Sequence, residues 1–115
     1  MKNRPILLYL MDMQTAIKRI LDYTKDLDYD GFANNFMVVD AVIRNFEVLG
    51  EAAKNISSEI REEYPKVPWK KMYALRNMVI HEYFGIDHFL IWDIIKNYPP
   101  ENLEDLNEVI EEIKD

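Results

Sequence analysis

The sequence predicts an all-α protein, an antiparallel bundle of four or five helices joined by short loops. Three observations predict it. Apolar residues recur at three- and four-residue spacing along most of the chain, which is the period of a helix face. Glycine (3) and proline (5) are scarce, which favours long regular elements over turn-rich β architecture. No run alternates apolar and polar residues well enough for a strand. At 115 residues, 49% of them hydrophobic, the chain (residues 1–115) is expected to form one domain around one core.

The first helix is expected over about residues 4–26. Leu10, Met13, Ile17, Ile20, Thr24 and Leu27 form one stripe, and Pro5 suits the first turn. The stretch DLDYDGFANN then breaks the pattern with Gly31 and asparagines, which favour turns. A second, longer helix is expected over 34–62. Val39, Val42, Phe46, Leu49, Ala53, Ile56 and Ile60 keep strict 3,4 spacing, the seam of a helix that packs against near-parallel neighbours. Gly50 lies mid-helix, where it costs about 1 kcal/mol relative to alanine. Close approach of a neighbouring helix is the expected reason.

YPKVPW separates the second helix from a third, expected over about 68–83. Pro68 suits its first position and Gly85 its stop. Asp87 suits the N-cap of a fourth helix over 88–97, with Ile91, Trp92, Ile94 and Ile95 as apolar content. Pro99-Pro100 closes it. A fifth helix over 101–114 carries Leu103, Leu106, Ile110 and Ile113 on one stripe. Glu101, Glu104 and Asp105 fill its first turn, as the helix dipole favours.

Composition excludes several function classes. The absence of cysteine rules out a disulfide framework and thiolate chemistry, and fits a reducing cytoplasm. No stretch approaches the roughly 18 apolar residues of a membrane span. The N-terminal apolar run is broken by Asp12 and Gln14 with no small-residue cleavage site, so it does not read as a signal peptide. The net charge of −7 suits a nucleic-acid binder poorly. Its distribution is uneven. Residues 64–81 hold Lys66, Lys70, Lys71 and Arg76 and no acid, whereas residues 86–115 hold nine acids against Lys96 and Lys114. Lys66, Lys70 and Lys71 are therefore candidate contacts for an anionic ligand, and the acidic helix reads mainly as a solvated face.

The segment RNMVIHEYFG, residues 76–85, places Arg76, Asn77, His81 and Tyr83 in an otherwise apolar helix. With Arg76 at zero on a helix of about 100° per residue, Asn77 lies near 100°, His81 near 140° and Tyr83 near −20°. Met72, Leu75 and Val79 lie between about −100° and −40°, facing the core. Arg76 thus flanks the core stripe, and Asn77 and His81, neighbours at i,i+4, look away from it. One such residue alone is ordinary surface or capping polarity. The outward pair beside Met78 and Ile80 suggests a face that a partner covers.

No phosphate-binding glycine loop and no HExxH motif is present, and the acids have ordinary helix-surface spacing, which gives little support to metal hydrolysis. Glu47 and Glu51 invite a carboxylate-pair reading, but Arg44 and Lys54 each lie about a turn away, so surface ion pairs are expected there. An arginine with a histidine suits phosphodiester transesterification without metal or cofactor. Histidine moves protons near neutral pH, and arginine offsets charge on the phosphoryl oxygens. Attack by a ribose 2′-OH needs both a base and an acid. Each chain supplies one suitable histidine, and a two-fold dimer would bring two.

Arg76-Asn77-x3-His81-x-Tyr83 resembles the signature of HEPN-domain ribonucleases. Over nearly its full length the chain is similar to the HepT toxins of the HepT/MntA toxin–antitoxin type. Four blocks carry the resemblance in order: DAVIRNFEVLGEAAK (40–54), VPW (67–69), RNMVIHEYFGID (76–87) and IWDIIKNYPP (91–100). The resemblance implies a homodimer with a composite, metal-independent RNase cleft at its interface. Arg76 and His81 would be catalytic there, with Asn77 orienting them. It also implies a minimal nucleotidyltransferase antitoxin (MntA-like) that transfers AMP to Tyr83, where the bulky anionic group would exclude RNA.

Two other readings of the same residues stand beside the toxin RNase. One is a non-catalytic subunit that presents a nucleotide or substrate to a nucleotidyltransferase. The other is a plain dimerisation module in which Asn77 and His81 satisfy each other across the interface.

Overall fold

A computed structural model describes residues 5–81, 88–97 and 99–114; for residues 78–81 and 100 it describes the backbone alone. The described residues form seven helices: α1 (Ile6–Thr24), α2 (Tyr29–Ala33), α3 (Phe36–Lys54), α4 (Ser58–Glu63), α5 (Trp69–His81), α6 (His88–Asn97) and α7 (Pro99–Lys114). No strand occurs among them. The expected all-α class holds, but the expected count of four or five helices does not.

Two of the extra elements come from side chains that compete with the backbone. The expected helix over 34–62 is two helices, because Asn55 and Ser57 divide it. Asn55 turns its amide nitrogen onto the Glu51 carbonyl at 2.9 Å, while its N–H bonds the Ala52 and Ala53 carbonyls. Ser57 then caps α4, its hydroxyl accepting from the Ile60 N–H at 3.4 Å. The apolar spacing runs on through the break: Ile56 is buried and Ile60 half-buried. In the stretch expected to be a turn, the Asp28 carboxylate accepts from the Gly31 N–H at 2.8 Å and starts the short α2, which drives Phe32 into the core.

Boundaries shift for similar reasons. Pro5 and Pro68 precede α1 and α5 rather than opening them; the Pro68 carbonyl accepts from the Met72 N–H at 3.0 Å. Pro99 lies inside α7, where a first-turn residue needs no N–H donor. The expected helix stop at Gly85 and cap at Asp87 fall outside the described residues.

α3 is the central helix. It packs against α1 on one side and α5 on the other, α7 covers α1, and α6 lies against α7 and α2. The core is the set of stripes that the spacing marks: Leu10, Met13, Ile17 and Ile20 from α1, Val39, Val42, Phe46 and Leu49 from α3, Leu106 and Ile110 from α7. Each such side chain contributes about 1.5–3 kcal/mol on full burial. Thr24, on the same stripe, is buried with its hydroxyl donating to the Ile20 carbonyl at 2.8 Å. Gln14 reaches across from α1 to α7, its amide donating to Asn107 Oδ1 at 2.7 Å.

Candidate active site

α5 is seated at its start by Trp69. The ring is buried and its indole N–H donates to the Tyr64 carbonyl at 2.9 Å. Met72 and Leu75 face the core, as the helix wheel requires, and Asn77 is exposed. Arg76 stands between them with its side chain 36% exposed. The closeness of α3 and α5 at this point follows from Gly50. A Cβ there would lie 2.5 Å from Arg76 Cβ and 3.2 Å from the Met72 carbonyl oxygen. The mid-helix glycine therefore marks a close approach, and the residue approached is Arg76.

The approach brings Glu51 under the arginine. Arg76 Nε lies 3.1 Å from Glu51 Oε2. Its Nη1 donates to Asn77 Oδ1 at a longer 3.4 Å. Two contacts thus fix a side chain that would otherwise turn freely, and they leave the remaining N–H groups to face an anion. A pair this exposed contributes at most about 1 kcal/mol to stability, so its main effect is to orient the guanidinium. The expected local ion pairs give way to this one. Glu51 pairs with Arg76 on the neighbouring helix rather than with Lys54. Arg44 and Glu47 make no ion pair with each other or with any other described residue.

The arginine borders a groove of about 370 Å³ between α1, α3 and α5. Tyr9 and Asp12 line it from α1, and Arg44, Glu47 and Glu51 from α3. Among the described residues no three His, Asp or Glu side chains converge as metal ligands.

The lysines are dispersed. Lys66 lies 3.5 Å from Glu108 and 3.6 Å from Asp105 of α7, and these carboxylates, Glu108 foremost, raise its pKa. The acidic helix therefore meets the basic segment at Lys66. Lys70 and Lys71 are exposed on α5, on the wall of a shallow groove shared with Arg61 and Glu62. His88, the second histidine, is half-buried with its ring 6.5 Å from that of Phe32. The His81 side chain and Tyr83 lie outside the described residues, so the structure brings together Arg76 and Asn77 of the expected set. Sequence reasoning missed Glu51. The usable signal was its position next to Gly50, since a glycine at a close approach carries its neighbour to the facing helix.

Fold and groove define a class: a small helical domain that holds a braced arginine at the edge of a polar cleft. The family model described as Ribonuclease HepT-like matches residues 13–113. The chain is 45% identical over 100 residues to "Putative RNase MJ1380" of Methanocaldococcus jannaschii, covering 87% of this chain and 92% of that one. It is 36% identical over 92 residues to "Probable ribonuclease HepT" of Thermococcus cleftensis, covering 80% and 84%. The chain belongs to the HepT-like ribonuclease family. No solved structure matches it.

Proposed function

We propose that the protein is an endoribonuclease toxin that cleaves RNA without metal, at a cleft completed by a second copy of the chain. The observation that carries this reading is the Glu51–Arg76–Asn77 brace beside an open groove. It presents a guanidinium, always charged, where phosphoryl oxygens gain negative charge.

In the proposed step the ribose 2′-oxygen attacks the adjacent phosphorus and the bond to the 5′-oxygen breaks. This leaves a 2′,3′-cyclic phosphate and a 5′-hydroxyl. His81 of one copy takes the 2′-OH proton and the partner's His81 gives one to the leaving oxygen. Asn77 holds Arg76 in line, and Lys70 and Lys71 draw the RNA backbone in, with Lys66 the weakest candidate because two carboxylates already neutralise it. A nucleotidyltransferase antitoxin silences the site by moving AMP from ATP to the Tyr83 oxygen, with pyrophosphate leaving. The added phosphate repels RNA.

Incubation of the purified protein with tRNA and mRNA in EDTA, beside an Arg76→Ala, His81→Ala variant, tests the reading. Cyclic-phosphate ends are expected from the wild type alone. A wild type as inert as the variant refutes it. Mass spectrometry of the chain co-expressed with its antitoxin is expected to find AMP on Tyr83.

A further inference from the structure

Three residues line one face of α3 at helical spacing: Arg44, Glu47 and Glu51. Among the described residues Glu51 alone of the three has an ion-pair partner. It is held by Arg76 of the facing helix. Glu47 is half-buried one turn away, and among the described residues its carboxylate forms neither an ion pair nor a hydrogen bond. Arg44, three residues before it, is exposed and equally unpartnered, although the two could reach each other. A partly desolvated carboxylate without a donor is unfavourable in the free protein. It becomes favourable when a ligand brings donors into the groove. Tyr9, half-buried on the opposite wall, offers a ring.

Resting on the ribonuclease reading above, we infer that this groove is a nucleobase subsite selective for guanine, with Glu47 reading the base and Arg44 meeting the next phosphate. The selectivity follows from donor arithmetic. An ionised carboxylate has two acceptor oxygens and no donor. The Watson–Crick edge of guanine offers adjacent N1–H and N2–H donors, one to each oxygen. Adenine and cytosine pair one amino N–H with a ring nitrogen acceptor that repels the second oxygen. Uracil sets one N–H between two carbonyl oxygens. Single-stranded RNA suits the groove because its bases can splay out and stack on an aromatic ring such as Tyr9. With a phosphate on Arg76, beside Glu51, Glu47 stands four residues away along α3, a rise of about 6 Å, which leaves room for the attached nucleoside.

The test uses uncleavable, fully 2′-O-methylated fluorescent hexanucleotides, uridine throughout except for one G, A or C. Anisotropy is measured with wild type, Glu47→Gln and Arg44→Ala, each checked for an unchanged circular dichroism spectrum. Wild type is expected to bind the guanine hexamer about tenfold more tightly than the others. Glu47→Gln is expected to abolish that difference, and Arg44→Ala to weaken all hexamers alike. Equal binding of the hexamers by wild type, absence of binding, or a guanine preference that survives in Glu47→Gln overturns the subsite. An unchanged affinity in Arg44→Ala removes Arg44 from it. Cleavage of ribose RNA in EDTA is scored separately. Cleavage indifferent to guanine sinks the subsite and leaves the nuclease, whereas guanine-selective binding without cleavage sinks the nuclease and leaves the subsite.

Discussion

Gly50 and Arg76 stand so close that a methyl group on the glycine would lie 2.5 Å from Arg76 Cβ. The atom met is the first of the side chain, fixed to the α5 backbone, so it cannot swing aside. Gly50→Ala gains up to about 1 kcal/mol of helix propensity but forces the two helices apart, which costs about 1–3 kcal/mol. A net loss near 1 kcal/mol is expected in urea unfolding. Catalysis is expected to fall further than stability, since Arg76 moves with the helix. A variant as stable as wild type would show that the helices separate freely.

Glu51 acts through Arg76. On the proposed reading, in which Arg76 meets the phosphate, Glu51→Ala is expected to lower kcat by about tenfold or more, because small displacements of such a group are costly. Its effect on stability is expected to stay under about 1 kcal/mol, since both side chains are well exposed. Steady-state kinetics beside thermal unfolding separate the two. Partial rescue by Glu51→Gln, which keeps an acceptor, is the mark of a positioning role.

Arg76→Lys retains the charge and loses the fork. A lysine ammonium cannot hold Glu51, hold Asn77 and face a phosphate with planar N–H groups together. A drop in kcat/KM of about 100-fold is expected. Near-wild-type kinetics would reduce Arg76 to a point charge.

Trp69→Phe tests the seating of α5. It removes the indole donor and leaves the part-buried Tyr64 carbonyl with the longer bond from the Val67 N–H at 3.3 Å. A loss of about 1–3 kcal/mol is expected from urea denaturation.

Lys66 sets an alkaline dependence. The carboxylates of Glu108 and Asp105 raise its pKa above the ordinary 10.5, so the folded chain holds that proton more tightly than the unfolded one. Its contribution is complete below pH 10.5 and lost as pH rises through the raised value. Stability of the wild type is expected to fall more steeply there than that of Lys66→Met, by a small margin because the pair is exposed.

The apolar spacing carried most of the fold. Ile91, Ile94 and Ile95, like the stripes of α1 and α3, are buried where the period places them. Periodicity says nothing of hydrogen bonds. Ile56 keeps the rhythm of α3 while Asn55 and Ser57 end the helix around it. The candidate site was legible where it depends on one helix: Arg76 at the edge of the core face and Asn77 outward. It was illegible where it depends on two. The local rule pairs Glu51 with Lys54, and only the approach at Gly50 offers it Arg76 instead. Lys66 was misjudged in the same way, since its two carboxylates lie far along the chain on α7.

The bond from Gln14 to Asn107 joins positions 93 residues apart. α1 therefore lacks its cover until α7 has been synthesised, and Tyr9 and Asp12 on α1 form a wall of the groove. A ribosome-bound nascent chain that lacks residues 99–114 leaves the α7-facing side of α1 uncovered. Long-range closure of this kind delays the final step of folding. The first helix to be made is thus the last to be covered.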